Sequence, residues 1–209
     1  MSSASIVPGT ALTFNYPLVQ AGPLVYNKIT VDFGTLGSYI TLHDETTFNP
    51  SWSITEEKSL ELLSQQGSSF QITATLTDES DNGFTSYEQT IFIVSIVLPT
   101  FDSSLSTELL MPGQARSYAL PPITDGTYPL HDIIISGSEL GAYLSINRLT
   151  RTIEYDGGFD QTVLNSIGSV LAITIQLKNE ILLTSDPFDH GFEVQSAIKP
   201  AFDPEVIPV

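Results

Sequence analysis

The chain has 209 residues, no cysteine, and 24 Asp and Glu against 7 Lys and Arg, which gives a formal charge of −17. So acidic a chain excludes nucleic acid and anionic membranes as partners, because binding to both needs positive charge. The lack of cysteine excludes disulfides and zinc–thiolate sites. No apolar run approaches the ~20 residues of a spanning helix, so no membrane insertion is expected in this segment.

The residue pattern in chain order is that of short strands separated by turns. One helical candidate covers residues 55–66. Alternation of apolar and polar side chains predicts strands over 70–76, 87–96 and 170–177. Turn residues such as Asp81-Asn82-Gly83 and Asp156-Gly157-Gly158 lie between the runs. This punctuation predicts a β-sandwich rather than alternating strands and helices.

Blocks of sequence recur in the same order, at offsets of 99 to 104 residues. Self-similarity at a fixed period indicates copies of one structural unit. The matching blocks are 29–31 and 133–135, 37–40 and 141–144, 53–54 and 152–153, 67–76 and 168–177, and 99–102 and 200–203.

The period sets the predicted domain organisation. We expect an all-β chain of two tandem Greek-key β-sandwich modules, one over residues 1–97 and one over 98–198. Residues 199–209 are expected to be a linker or the first strand of a following module, because they repeat the opening of the second one.

Several segments of the second module carry a family resemblance. They are residues 118–125 (YALPPITD), 143–146 (YLSI), 152–153 (TI), 173–177 (ITIQL) and 192–194 (FEV). This order resembles the cadherin-like and dystroglycan-type Ig-like repeats, over residues 111–196 and less closely over 12–95. The resemblance implies seven-stranded Greek-key sandwiches joined end to end in large surface or adhesive proteins.

The calcium chemistry of that family does not carry over to matching positions. Cadherins chelate calcium with an Asp-x-Asn-Asp-Asn linker and an Asp-x-Asp triplet, whereas the linker here, residues 98–102, holds one carboxylate. The triplet position reads Lys178-Asn179-Glu180 in the second module, and the Lys178 ammonium repels a divalent cation.

Two acidic clusters nevertheless have the residue types that calcium prefers, which are several carboxylate oxygens close together. The first is Asp78, Glu79 and Asp81 before Gly83, and the second is Asp156 and Asp160 around a Gly-Gly pair. An ordinary acidic hairpin tip and a glycine-rich turn explain the same residues. Metal binding at these five residues is therefore one of two interpretations.

Catalytic residues are not assigned. The three histidines lie in different predicted strands or loops, and the sequence has no nucleophile elbow or His-Glu-x-x-His helix. The single Trp52 is either a core residue or an exposed one. Its counterpart by repeat offset is Arg151, which predicts exposure and hence a platform for stacking on a sugar ring.

These observations predict a non-catalytic structural or adhesive segment of a larger acidic surface or filament-forming protein, extracellular or on the cell surface. Its expected partners are other copies or neighbouring modules of the same protein, or a protein or glycan ligand. The alternative is a calcium-dependent module that binds a ligand or glycan. Apart from that calcium, no cofactor is expected.

Overall fold

The computed structural model describes residues 2–20, 25–80, 82–137 and 139–196, without the side chains of Phe84 and Glu139. The chain divides into two compact units, the first ending at Ile96 and the second beginning at Val97. Among the described residues, the helices are too short and too polar to cross a bilayer. The predicted segment 199–209 lies outside the described residues.

The first unit is a sandwich of two sheets. Its described strands are β1 (Ser2–Ile6), β2 (Leu12–Asn15), β3 (Tyr26–Asp32), β4 (Thr41–His43), β5 (Ser51–Ile54), β6 (Ser69–Asp78) and β7 (Gly83–Ile93). One sheet has the order β1-β7-β6-β3 and the other the order β2-β5-β4. Strand β1 is parallel to β7, and the other pairs are antiparallel.

The second unit repeats this arrangement. Its described strands are β8 (Thr100–Phe101), β9 (Glu108–Leu110), β10 (Arg116–Ala119), β11 (Ile123–Thr124), β12 (Leu130–Ser136), β13 (Leu144–Asn147), β14 (Thr152–Tyr155), β15 (Val170–Asn179) and β16 (Phe188–Val194). The sheets have the orders β12-β15-β16-β9 and β10-β14-β13, with β8 and β11 as a short extra pair. The predicted all-β fold of Greek-key sandwiches is confirmed.

Each unit has its own apolar core. In the first unit, Ile29, Ile72 and Ile91 of one sheet pack with Trp52 and Ile54 of the other. The core of the second unit is built in the same way, and its members include Leu110, Tyr118, Ile133, Ile153, Ile173, Ile175 and Phe192. Alternate residues of a strand point to opposite faces, so the alternating sequence supplies one apolar face per sheet.

A short helix lies at the same place in both units. Residues 55–66, predicted as helical, form α1 (Glu56–Leu60) and a 3-10 helix (Glu61–Gln65). The second unit has α2 (Gln161–Asn165) at this place, which the sequence pattern did not indicate. Leu62 of the 3-10 helix and Val163 of α2, 101 residues apart, are fully buried in their respective cores. Two further 3-10 helices, Gly34–Ser38 and Glu139–Ala142, precede β4 and β13.

The strand registers align the two units residue by residue. Ile29 pairs with Leu76 in the first unit and Ile133 pairs with Leu177 in the second, so Ile29 and Ile133 occupy corresponding positions. Trp52 lies opposite Phe14 and Leu42 in the first unit. In the second unit, Ile153 lies opposite Tyr118 and Ile146 and therefore takes the place of Trp52.

The predicted exposure of Trp52 is wrong. Its side chain is fully buried, stacks on Phe14 at a centroid distance of 5.5 Å, and donates its indole N–H to Gln89 Oε1 at 3.1 Å. The sequence comparison matched Trp52 with Arg151, two residues from the true partner Ile153. A stacking role on a sugar is excluded for a ring that solvent does not reach.

Candidate interaction surface

A groove of about 680 Å³ runs along one side of the second unit. It lies between β12, an edge strand of the four-stranded sheet, and β13, an edge strand of the three-stranded sheet. Four apolar side chains form its inner wall, and its polar lining includes Arg148 and Glu154; the apolar residues are Ile133, Ile135, Leu144 and Ile146. A groove beside an unpaired strand edge is a surface to which another chain can bind.

The first unit supplies a backbone acceptor to the corresponding edge. In the segment 44–50 between β4 and β5, the Glu45 carbonyl accepts the N–H of Ile29 at 2.8 Å, while the carbonyls of Phe48 and Pro50 accept N–H groups of the segment after β2. The Tyr26 hydroxyl donates to the carbonyls of Glu45 and Thr47, at 2.7 and 3.0 Å. The Tyr26 ring also packs on Phe48, with 5.5 Å between centroids.

The second unit has a shorter connection at this place, residues 148–151 between β13 and β14. Here the N–H of Ile133, which corresponds to Ile29, donates to the Asp132 Oδ1 at 2.7 Å. Arg148 forms an ion pair with both carboxylate oxygens of Asp132, at 2.8 Å from Nε to Oδ1 and at 3.1 Å from Nη2 to Oδ2. A carboxylate thus occupies the position of the Glu45 carbonyl.

This side-chain cap protects one backbone group and leaves the strand edge open. Alternate residues of an edge strand direct their N–H and C=O groups away from the sheet. Ile135 is two residues from Ile133 and therefore has the same orientation. Among the described residues, no hydrogen bond joins the N–H of Ile135, or that of its counterpart Val31 on β3, to a segment covering the edge. Bulges and charged side chains limit unwanted strand pairing, and β12 has both only at its start, with the bulge between Leu130 and Asp132 and the Asp132 carboxylate.

The turn at the end of the groove presents an apolar side chain to solvent. Leu149 is 95% exposed, while the neighbouring Arg148 side chain is 70% exposed and its partner Asp132 24%. The Asn147 side chain holds the turn, since its Oδ1 accepts the N–H groups of Leu149 and Thr150 at 3.1 and 3.2 Å. The shape of this turn is therefore fixed while its Leu side chain contacts little of the protein.

A row of hydroxyl groups surrounds a carboxylate on the strands next to the groove. Glu154 accepts hydrogen bonds from the hydroxyls of Ser117 and Thr152. These two bonds lower the pKa of Glu154 below its usual value, because they favour the charged form. The row is therefore negatively charged at neutral pH.

The first predicted metal cluster forms a hairpin turn. Asp78 Oδ1 accepts the backbone N–H groups of Ser80 and Asn82 at 2.8 and 3.0 Å, and the pKa of Asp78 is lowered, mainly by the bond from Asn82. Glu79 is exposed in this turn, and Asp81 lies outside the described residues.

The second predicted cluster has similar local roles. Asp156 Oδ1 accepts the N–H of Gly158 at 2.6 Å, and Asp160 Oδ1 accepts the N–H of Val163 at 3.0 Å as the N-cap of α2. Within the described ranges, no three His, Asp or Glu side chains converge on a common point. Calcium binding at the five residues stays a prediction from sequence, while the geometry explains the described carboxylates as turn and cap residues.

The sequence pattern did not indicate the burial of two polar side chains, Tyr16 and His190. The Tyr16 hydroxyl lies at a pocket of about 200 Å³ beside Leu18 and Tyr87, and it has no hydrogen-bond partner among the described residues. Burial raises the pKa of Tyr16. His190 lies in the second core against the Phe192 ring, at a centroid distance of 4.7 Å, and burial lowers its pKa.

No protein-family model matches the chain, and no curated protein does. Among solved structures, four extracellular cadherin domains of protocadherin gamma B7 align at 16% identity and a TM-score of 0.39, over 94% of this chain and 49% of theirs. Fibronectin(III)-like modules of Clostridium thermocellum CbhA align at 12% identity and a TM-score of 0.36, over 97% of this chain and 95% of theirs. The titin fragment I67–I69 aligns at 13% identity and a TM-score of 0.37, over 93% of this chain and 63% of the fragment.

The chain therefore spans about half the length of the protocadherin fragment that it resembles. Likenesses at these identities and TM-scores carry no conclusion about what the chain binds.

Proposed function

We propose that this chain is a non-catalytic structural or adhesive segment of an extracellular protein, acting through contacts with other copies or neighbouring modules. The carrying observation is the difference between its two sandwiches. In the first unit the Glu45 carbonyl of segment 44–50 caps the β3 edge at Ile29, whereas the equivalent β12 edge of the second unit has only a side-chain cap and lies beside an open groove. A sandwich with an uncovered edge has a surface suited to protein contacts.

The environment of the titratable groups supports a non-catalytic role. His43 bonds Ser53 through Nε2 at 2.7 Å on β4 and β5, while His190 is enclosed by its core. Asp78, Asp156 and Asp160 accept hydrogen bonds from backbone N–H groups of their own turns. The burial and hydrogen bonds of these groups therefore support the groove, rather than a catalytic centre, as the functional surface.

Sedimentation velocity on the full chain tests this proposal. Between about 5 and 500 µM at physiological ionic strength, we expect a rising average mass, because salt screens the repulsion that a charge of −17 produces. A chain that stays monomeric at every concentration would contradict contacts between copies.

A further inference from the structure

We infer that the β12 groove of one copy binds residues 199–209 of a second copy as an added strand. The inference rests on the proposed function, since it names the surface and the segment through which copies associate. Strand addition uses main-chain hydrogen bonds for affinity and side-chain pockets for selectivity. The groove offers both, in the outward backbone of β12 and in the wall formed by Ile133, Ile135, Leu144 and Ile146.

The first unit shows what such a groove accepts. There, the segment 44–50 supplies one backbone carbonyl, that of Glu45, to the outward N–H of Ile29 at 2.8 Å. In the second unit the matching N–H of Ile133 has only the Asp132 carboxylate at 2.7 Å. An incoming carbonyl can replace that carboxylate, and it would then restore the arrangement of the first unit.

The sequence of residues 199–209, KPAFDPEVIPV, has the pattern of an edge strand. Its even-numbered residues are apolar throughout, including Phe202 and Val206, whereas Asp203 and Glu205 have odd numbers. The prolines are four residues apart, at 200, 204 and 208. In an extended strand their missing N–H groups would all lie on one edge, which leaves the other edge able to donate fully.

A copy of the same motif already forms a strand in this chain. Pro99-Thr100-Phe101-Asp102 corresponds to Pro200-Ala201-Phe202-Asp203. In the first of these, β8 pairs with β11 and the Phe101 ring is buried against Phe188, at a centroid distance of 4.9 Å. Phe202 is therefore the side chain that we expect to enter the groove.

The turn at the end of the groove adds apolar area for this occupant, because Leu149 is 95% exposed there. Charge does not select the occupant, since Arg148 is already paired with Asp132 and the Glu154 carboxylate lines the groove.

The route of the chain favours a second copy over the same molecule. The last described residues follow β16, and the Gln195 N–H donates to the Leu110 carbonyl of β9 at 2.8 Å. Strand β9 is the edge of the sheet opposite to β12. The described chain therefore ends on the side of the sheet away from the groove.

Hydrogen exchange on the full chain, followed by mass spectrometry at about 5 and 500 µM, tests the inference. We expect the Ile133 and Ile135 amides to become more protected at the higher concentration. Excess synthetic peptide of sequence 197–209 should keep that protection while returning the chain to the monomer in sedimentation, because it competes for the same edge.

Two matched substitutions identify the surface. Leu149→Ser should weaken association about tenfold or more, since a Leu side chain would no longer be buried on binding. The control is Leu18→Ser in the first unit, where the side chain is 71% exposed, and it should leave association unchanged. Asp132→Ala should strengthen association, because the incoming carbonyl no longer displaces a carboxylate.

The outcomes separate the two proposals. Association without protection of β12, or insensitive to the peptide, overturns the strand inference and leaves contacts between copies standing. Protection that is equal at both concentrations indicates binding within one molecule and overturns the second copy as occupant. A chain that is monomeric throughout, with β12 amides unprotected, overturns both proposals.

Discussion

The cap of α2 offers a measurable consequence of one carboxylate. Asp160 Oδ1 accepts the N–H of Val163 at 3.0 Å, and Val163 itself is fully buried in the second core. Replacing an Asp cap by Ala costs about 1 kcal/mol of unfolding free energy. For a domain of this size, such a loss lowers the melting temperature by about 4–8 °C. We expect Asp160→Ala to lower the calorimetric transition of the second unit by that amount.

The control for this variant is Asp160→Asn, because an Asn side chain caps a helix about as well as Asp. Its transition should stay within about 2 °C of the unsubstituted chain, which is the change that a few tenths of a kcal/mol produces. Trp52, the only tryptophan, is buried in the first unit, so its fluorescence transition should not move in either variant. A loss in Asp160→Asn equal to that in Asp160→Ala would refute the cap and favour a role for the charge.

Three further outcomes follow from buried and turn-forming groups. Tyr16→Phe removes a buried hydroxyl without a partner among the described residues, so the first unit should keep its unfolding free energy or gain about 1 kcal/mol; a loss of that size by Trp52 fluorescence would contradict this. Burial lowers the pKa of His190 below 6.5, so the unfolded chain binds a proton at this residue more readily than the folded chain does. The second unit should therefore lose stability as pH falls below about 6.5. Calorimetry of His190→Gln should show a weaker pH dependence of this stability, and an equal pH dependence would refute the assignment. Calcium at about 5 mM should leave both transitions in place, because the described carboxylates already bind backbone N–H groups; a rise that Asp78→Asn abolishes would establish the metal site.

Much of the fold could be predicted from local pattern. The alternation over residues 70–76 and 170–177 lies within β6 and β15, because each strand buries one face in its own sandwich. The predicted strand 87–96 is shifted, since β7 runs over Gly83–Ile93. Apolar residues continue beyond Ile93 in the sequence, and apolarity alone does not show where strand pairing ends.

The place of Trp52 could not be predicted, because the repeat was aligned two residues out of register there. A shift of two residues keeps the same side chains facing inward, so the apolar pattern gave no sign of the error. The register became clear only through the cross-strand partners Phe14 and Tyr118.

The candidate surface was missed for a related reason. It arises where the connection of seven residues, 44–50, is replaced by one of four residues, 148–151. A loop difference has no apolar periodicity, and its effect on a distant strand edge depends on the three-dimensional path. Asp132 and Arg148 are 16 residues apart, and nothing in their spacing indicates an ion pair.

The two units have separate apolar cores, and one matched pair of variants tests this directly. Leu62→Ala and Val163→Ala each remove a fully buried side chain at the same place in the repeat. Thermal unfolding is followed in parallel by Trp52 fluorescence and by calorimetry. Leu62→Ala should lower the temperature of the fluorescence transition. Val163→Ala should lower only the temperature of a calorimetric transition that the fluorescence does not report. A single transition that both variants lower equally in both signals would contradict separate cores.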